Sequence, residues 1–311
     1  MQLKPLCGRM EIFMSEIIEC IPNISEGRDA SVVAACVEAV ASVAGITVMN
    51  FSSDADHNRS VITFMGSIDA VECASVRLAH ECVKRIDLRR HSGRHPRVGA
   101  LDVMPFVPLR GADVQKTVEL SKRVAERIWK ECRVPTYLYE DSASAPYRKN
   151  LADVRRGEFE GLKEKTASDE WKPDYGEDFH ESAGVTVIGA RFPLIAYNFD
   201  LDTRDINIAK NIARQIRESS GGLRSVKALG IYLVQRDCAQ VTVNLTNYEN
   251  TPLHVLTERV RQLAKEYGTS VKQAELIGLV PMKAIAEAAG YYLGIGDFDP
   301  EKRIIESYLL N

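Results

Sequence analysis

The stretch that decides the fold is Arg89-Arg90-His91-Ser92-Gly93-Arg94-His95-Pro96-Arg97-Val98-Gly99-Ala100-Leu101-Asp102, a basic run that ends in an apolar segment reaching Val107. Gly93, Pro96 and Gly99 oppose a regular helix, so a shaped loop that leads into a strand is predicted here. Loops held by a rigid strand commonly present reactive side chains. The elements on either side of this loop therefore set the frame of the first half of the chain.

Strands and helices alternate around the loop. The strand that follows it contains Pro105, which indicates an edge strand or an irregular one. The order of elements up to this strand is strand, helix, strand, strand, helix, strand, which is the split βαβ or ferredoxin-like arrangement. Period-two and helical spacing predict the strands at residues 17–21, 46–51, 60–66 and 101–107 and the helices at residues 32–40 and 69–86.

Strands and helices continue to alternate after residue 107. A helix at residues 114–132 and a strand at 136–139 precede a charged segment, residues 140–182, which is predicted to be a linker with some helix. Strands and helices then restart near residue 184, beginning with a strand at 185–189.

These patterns predict an α+β protein with two α/β subdomains. The N-terminal subdomain is predicted at residues 15–183 and the C-terminal subdomain at residues 184–311. Residues 1–14 show no clear pattern, so they are predicted to form a disordered or extended tail.

The composition is that of an ordinary globular chain. Of the 311 residues, 45% are hydrophobic and 27% are charged, and the formal net charge is -3. This balance gives no global basis for binding nucleic acid or an anionic membrane, and no apolar run approaches the length of a membrane span. The seven cysteines are odd in number and form no Cys-x-x-Cys pair. We therefore predict free core thiols and a cytoplasmic location.

The loop carries two histidines, and His95 is the better candidate for chemistry. Pro96 restricts His95 to extended geometry, and Arg94 and Arg97 flank it with charges suited to an anion. Histidine titrates near neutrality, so it can both accept and donate a proton. A solvated basic turn is the alternative. Zinc is less favoured, because the glycine and proline oppose a helix that would align His91 with His95, and no glutamate lies between them.

The polar loops that follow the first three strands are predicted to meet the His95 loop at the ends of the sheet. Aspartates in such loops are also explained by ordinary turn chemistry. The predicted rim consists of Asn23, Asp54, Asp56, His57, Asn58, Arg59 and His95.

Five segments together resemble the formiminotransferase family, the folate-dependent glutamate formimidoyltransferases. The resemblance spans roughly residues 16–310. It implies two ferredoxin-like subdomains with mixed or antiparallel sheets, a substrate cleft between them, and a homodimer. In bifunctional relatives a cyclodeaminase domain follows, and for this chain the resemblance implies the transferase activity alone, with no cyclodeaminase domain expected. The segments are Glu19–Gly27, Asn58–Val61, His95–Phe106, Val134–Tyr139 and Gly278–Ala284.

The resemblance also implies the reaction and its residues. A formimidoyl group moves between N-formimidoyl-L-glutamate and tetrahydrofolate, giving 5-formimidoyltetrahydrofolate and L-glutamate, in histidine degradation and one-carbon metabolism. The family's catalytic histidine falls on His95, Asp54 or Asp56 could orient it, and no metal is expected. The residues expected to bind folate or substrate are Asn23, Arg59, Arg97, Gly176, Glu177, Asp178, Phe179, His180, Glu181, Ser182, Ala183 and Gly184.

Three other functions fit the same sequence less well. One is a related one-carbon transferase that uses 5-formylfolate, and another is a folate-binding protein without catalysis. The third is a metal-dependent hydrolase of formimidoylglutamate. The presence of His95 argues against a folate-binding protein that has lost its catalytic site. Metal analysis of the purified protein would distinguish the metal-dependent hydrolase from the transferase.

Overall fold

The computed structural model describes residues 16–93, 95–296 and 298–308. Along the chain it divides into two compact units, the first ending at Arg191 and the second beginning at Phe192. The tail predicted at residues 1–14 lies outside the described residues. One sheet is mixed and the other antiparallel, and helices accompany both, so the predicted α+β class is confirmed.

The first unit is built on a seven-stranded sheet. Its strands are β1 (Ile17–Cys20), β2 (Asn23–Ile24), β3 (Thr47–Asp54), β4 (Arg59–Ser67), β5 (Leu101–Pro108), β6 (Thr136–Leu138) and β7 (Thr186–Ala190). Its helices are α1 (Ala30–Ala41), α2 (Ile68–Arg85), α3 (Val114–Cys132), α4 (Leu151–Val154) and α5 (Leu162–Thr166).

The ferredoxin-like order predicted for this unit is confirmed. Strands β3, β4, β1 and β5 lie side by side and are all antiparallel, with β2 continuing the line of β1. Asp29 caps α1 by accepting from the backbone N–H groups of Ser31 and Val32. Helices α1 and α2 pack together with Cys36 and Cys82 facing each other, their Sγ atoms 3.9 Å apart. Both thiols are free and buried, as predicted.

Strand β5 lies inside the sheet, so the prediction of an edge strand was wrong. It pairs with β1 and β2 on one side and with β7, in parallel, on the other. Pro105 is tolerated because it lies opposite Ile21 and Pro22, where β1 stops and β2 has not begun. The Pro105 carbonyl still accepts from the Ile21 N–H at 3.1 Å. The ladder is irregular at this point, which agrees with the other prediction for this strand.

The charged segment at residues 140–182 is not a linker. It packs a second, smaller core against the sheet through Val154 and Leu162, which meet Tyr137 and Tyr139. Strand β7 pairs in parallel with β5 and β6, so the residues predicted to open the second subdomain belong to the first unit. The observed division at Arg191 therefore comes one strand later than the predicted boundary after residue 183.

The second unit is a ferredoxin-like fold on its own sheet. The strands are ordered β11, β8, β10, β9 and every pair is antiparallel. Its apolar core is formed by one face of this sheet with α6 and α7. The elements are β8 (Ile195–Leu201), α6 (Ile206–Ile216), β9 (Val226–Leu233), β10 (Cys238–Leu245), α7 (Leu253–Glu266), β11 (Val271–Ile277), α8 (Met282–Leu293) and α9 (Pro300–Arg303).

Within the described part of the chain, every helix is too short or too polar to cross a membrane.

Candidate active site

Asn58 ties together three loops of the first unit. It adopts a left-handed backbone conformation with φ of 50° and is 7% exposed. Its Oδ1 accepts from the Gly27 N–H at 2.9 Å, and its Nδ2 donates to the Ser92 carbonyl at 3.1 Å. The His91 Nε2 atom donates to the Asn58 carbonyl at 2.9 Å. Three of the four loops predicted to meet are therefore joined, namely those after β2, between β3 and β4, and before β5. The loop after β4 is not among them, because β4 ends at Ser67, the other end of that strand.

The end of the predicted folate loop is joined to the His95 loop by backbone hydrogen bonds. The Leu88 N–H donates to the Ser182 carbonyl at 2.8 Å, and the Ala100 N–H donates to the Ala183 carbonyl at 2.9 Å. Gly99 and Gly184 form an antiparallel bridge, where each glycine is needed because an added Cβ would lie 2.0 to 2.1 Å from a carbonyl oxygen.

The rest of this loop, residues 176–184, is a turn held by its own contacts. The N–H groups of His180 and Gly184 each donate to the other residue's carbonyl, at 2.9 and 2.8 Å. The His180 Nδ1 atom accepts from the Ala183 N–H at 3.1 Å. Phe179 packs edge-on against Phe159, and Gly176 lies against the ring of Trp129. The three acidic side chains of the loop, Glu177, Asp178 and Glu181, are exposed.

His95 has defined partners at both ring nitrogens. Its Nδ1 lies 2.7 Å from the Pro96 carbonyl oxygen, which can only accept, so Nδ1 carries the proton. Its Nε2 lies 2.6 Å from the Nη1 of Arg59, which can only donate, so Nε2 presents its lone pair. The structure therefore holds His95 as one neutral tautomer with Nε2 as the basic atom.

The surroundings of His95 favour that neutral form. Burial, followed by the positive charges of Arg59 and Arg155, lowers the pKa of His95 to about 4, while Asp102 acts in the opposite direction. At neutral pH the imidazole is therefore unprotonated and can accept a proton. The imidazolium formed would be more acidic than usual, so it would return that proton readily.

Arg59 uses only part of its guanidinium on His95. Its Nε is buried and has no hydrogen-bond partner among the residues that the structure describes. Burial, and then the charge of Arg155, lower the pKa of Arg59. A buried N–H without a partner is costly, so this edge of the guanidinium favours binding an anion.

Asp54 and Asp56 are placed differently from the sequence hypothesis that one of them orients His95. Asp54 accepts from the backbone N–H and the ring Nδ1 of His57, both at 2.8 Å. Asp56 is exposed in the turn between β3 and β4. The ring nitrogens of His95 are held instead by Pro96 and Arg59. The two aspartates therefore behave here as turn residues, which was the alternative drawn from turn chemistry.

Arg97 is buried, at 8% exposure, and its guanidinium is already engaged. It donates to Glu158 at 3.0 Å, to Glu160 at 2.7 and 2.9 Å, and to the Nδ1 of His91 at 3.2 Å. These contacts leave it supporting the loop, in contrast to its predicted role with substrate carboxylates. Asn23 is half-buried in β2 and donates to the Ile21 carbonyl at 3.2 Å.

Sequence reasoning missed the contribution of the segment at residues 140–182. It supplies Glu158 and Glu160 to Arg97, and Arg155 to the buried Asp102. An open depression of about 460 Å³ lies beside this contact, lined by His91, Arg97 and both glutamates among others. No local pattern in the segment marks these residues, because their partners are distant in sequence. Arg94, predicted to flank His95 with positive charge, lies outside the described residues.

No cluster of three or more His, Cys, Asp or Glu side chains suited to a metal ion occurs in the residues that the structure covers.

Comparison with known proteins gives matches along almost the whole chain. A family model described as the formiminotransferase domain, N-terminal subdomain, matches residues 17–191, and one described as the formiminotransferase domain matches residues 196–298. The glutamate formimidoyltransferase of Streptococcus pyogenes serotype M1 is 47% identical over 298 residues, which cover 96% of this chain and 100% of that protein.

Two further relatives show the range of the similarity. The glutamate formimidoyltransferase of Thermoplasma acidophilum is 42% identical over 295 residues, covering 93% of this chain and 96% of that protein. The formimidoyltransferase-cyclodeaminase of Rattus norvegicus is 38% identical over 323 residues, covering 94% of this chain but only 60% of that protein.

Proposed function

The chain belongs to the formiminotransferase family, and from that premise we propose that it transfers a formimidoyl group from N-formimidoyl-L-glutamate to tetrahydrofolate. The products are 5-formimidoyltetrahydrofolate and L-glutamate. The observation that carries the proposal is the neutral His95, whose basic Nε2 lies beside Arg59, an arginine with a buried Nε–H that has no partner within the described part of the chain. His95 can transfer protons there, and Arg59 can bind a carboxylate.

His95 acts as base and then as acid in this proposal. The N5 atom of the folate attacks the amidine carbon, a C–N bond forms, and the N5 proton passes to the Nε2 of His95. The resulting imidazolium gives that proton to the glutamate nitrogen as the old C–N bond breaks. His95 returns to its starting tautomer, so protons balance over the cycle. General acid–base catalysis of this kind contributes about 10²–10⁴-fold in rate.

Arg59 is the residue that we assign to a carboxylate of formimidoylglutamate. Its unpaired Nε lies on one edge of the guanidinium, and a carboxylate can bind that edge through two parallel hydrogen bonds. Binding there would draw the guanidinium towards the carboxylate and away from the Nε2 of His95. Substrate binding would then free the lone pair that takes the proton. Arg97 is less suited, because Glu158 and Glu160 already occupy its fork.

Replacing Arg59 with methionine should raise the KM for formimidoylglutamate about 10- to 100-fold, because a charge-assisted pair of hydrogen bonds is lost. The KM for tetrahydrofolate should change little. Steady-state kinetics with each substrate varied in turn measures both values. Arg97→Met is the matched control, and it should lower the midpoint of thermal unfolding while leaving the KM for formimidoylglutamate within about threefold. A larger rise in that KM for Arg97→Met than for Arg59→Met would reverse the assignment.

The acid limb of the pH profile should lie near pH 4 rather than near 6.5, because His95 works in its neutral form and its pKa is lowered to about 4. In the unfolded chain the pKa returns to the usual 6.5. Between these values the unfolded chain binds more protons, so this histidine makes the fold less stable as pH falls. The profile of kcat/KM from pH 3.5 to 8 checks the prediction, and a midpoint near 6.5 would contradict it.

A coupled assay with formimidoylglutamate and tetrahydrofolate tests the function directly. Glutamate and 5-formimidoyltetrahydrofolate should form in equal amounts, with and without a chelator. Replacing the first substrate with 5-formyltetrahydrofolate and glutamate tests the related one-carbon transferase. Glutamate formed without tetrahydrofolate, and lost on chelation, would indicate a metal-dependent hydrolase instead.

Three further features belong to the same proposal. Residues 176–184 and Asn23 contact the folate or substrate, an idea supported by the hydrogen bonds between Ser182, Ala183 and the His95 loop. The active species is a homodimer. The enzyme works in the cytoplasm, which fits its free cysteines.

A further inference from the structure

A buried carboxylate stands behind the turn that carries His95. Asp102 is 1% exposed and both of its oxygens are used. Its Oδ1 accepts from the Val98 N–H at 2.7 Å, and its Oδ2 accepts from the Nη2 of Arg155. The Arg155 side chain, which follows α4, is only 13% exposed. The pair therefore sits inside the protein, where removing one partner leaves the other charge uncompensated.

The same turn fixes the imidazole. The carbonyl that accepts from the Nδ1 of His95 belongs to Pro96, two residues before the Val98 N–H that Asp102 holds. Between these points the chain is short, and Pro96 restricts its freedom further. A shift at Val98 would therefore displace the Pro96 carbonyl and weaken the hydrogen bond that fixes the tautomer of the ring.

We propose that Asp102 and Arg155 are a positioning pair for His95: Asp102 holds the turn that sets the imidazole, and Arg155 holds Asp102 while facing the same site with its positive charge. Neither residue touches the reacting atoms. The proposal rests on the proposed function, because it assigns a role towards the histidine that carries the proton.

The two members of the pair have opposite effects on the pKa of His95. The charged groups that bear on His95 among the described residues are Arg59 from β4, Arg155 from the end of α4 and Asp102 from β5. The ring of His57, from the turn between β3 and β4, lies 6.3 Å away. Both arginines lower the pKa of His95 and Asp102 raises it. Removing Arg155 should raise that pKa, and removing Asp102 should lower it.

A matched control exists in the same unit. Asp174 likewise accepts from a backbone N–H, that of Leu138, at 2.7 Å, and binds the buried Arg148 at 2.9 Å. The side chains of Arg148 and Asp174 are 7% and 10% exposed. This pair is built like the other but is not among the main causes that set the pKa of His95, which are burial, Arg59, Arg155, Asp102 and the hydrogen bond to Pro96. Its loss should cost stability without changing the titration of His95.

The test titrates the His95 imidazole by NMR and records the pH profile of kcat/KM for the same proteins. Arg155→Met should move both midpoints upward by about one pH unit or more, and Asp102→Asn should keep His95 unprotonated at pH 4. Arg155→Lys retains the positive charge, so the midpoint should stay within about half a pH unit. It loses the guanidinium that holds Asp102, so kcat should fall. Arg148→Met and Asp174→Asn should leave the midpoint in place.

Asp102→Asn must be titrated in acid, where the variant is prone to unfold. The two Arg155 variants, titrated closer to neutral pH, therefore provide the deciding test of whether the pair sets the midpoint of His95. An unchanged His95 titration in folded Arg155→Met, or a midpoint that moves as far in Arg148→Met, overturns the proposal. If the NMR midpoint moves and the kinetic midpoint does not, the pairing is right and His95 is not the base. That result would count against the proposed function alone.

Discussion

Replacing His95 with alanine is expected to lower kcat/KM about 10²–10⁴-fold, or about 3–5 kcal/mol of transition-state stabilisation. The variant loses the neutral Nε2 that takes the folate proton, and Arg59 loses its partner there. The fold should survive, because the ring is only partly buried and its carbonyl partner at Pro96 is main chain. Rates should be measured with saturating tetrahydrofolate, alongside folate binding and circular dichroism.

Two other histidines serve as controls for this substitution. His80 is exposed on α2, pairs with Glu131 on α3 at 3.6 Å and has no role in the proposed chemistry, so His80→Ala should keep normal turnover. His57 lies beside His95 but is exposed and bound to Asp54, so His57→Ala should cost less than about tenfold. Turnover by His95→Ala within about tenfold of the wild type would make His95 an orienting group at most. A large loss in His57→Ala would then make His57 the candidate base.

Gly184→Ala should lower the free energy of unfolding by about 2–5 kcal/mol. Gly184 has a φ of +68°, and a Cβ there would lie 2.1 Å from the Val98 carbonyl oxygen. The variant therefore suffers both backbone strain and a clash with main chain that cannot swing away. The clash falls on the bridge that joins the predicted folate loop to the His95 loop. Denaturant unfolding measures the loss, and activity should fall further than stability alone explains.

Gly221→Ala distinguishes the contribution of backbone strain from that of the main-chain clash. Gly221 has a similar φ of +83°, but an added Cβ there would meet nothing within 4 Å among the described residues. The variant should lose only about 1 kcal/mol, the cost of the left-handed backbone. Equal losses at the two glycines would mean that the Gly184 contact relaxes and that the bridge does not constrain the site.

Local sequence patterns predicted the elements that are regular along the chain. Helical spacing predicted a helix at residues 69–86, where α2 spans Ile68–Arg85, and alternation predicted a strand at residues 60–66, where β4 spans Arg59–Ser67. The ferredoxin-like order of the first unit follows from such local patterns, whereas that of the second unit was implied by the family resemblance. Strand β7 was assigned to the wrong half because its partners, β5 and β6, are chosen by pairing rather than by its own composition.

The site was predicted less completely, for the same physical reason. His95 was found because a histidine among glycine and proline is a local signal, and Arg59 lay in a recognisable motif. The partners that fix them were not visible. Arg97 meets Glu158 and Glu160, which are 61 and 63 residues further along the chain. The contact of Asp54 with its nearest donor, here His57, was not predicted, although a carboxylate in a turn commonly makes such a contact.

The backbone bridge between Gly99 and Gly184 also bears on the order in which the protein folds. Contacts between residues distant in sequence form slowly, because a long loop must close before they yield any stabilisation. Strands β3 and β4 form a local hairpin, whereas the His95 loop needs Gly27, Asn58 and Gly184 to arrive together. We therefore expect the geometry around His95 to form late in folding, and only after residue 184 has been synthesised.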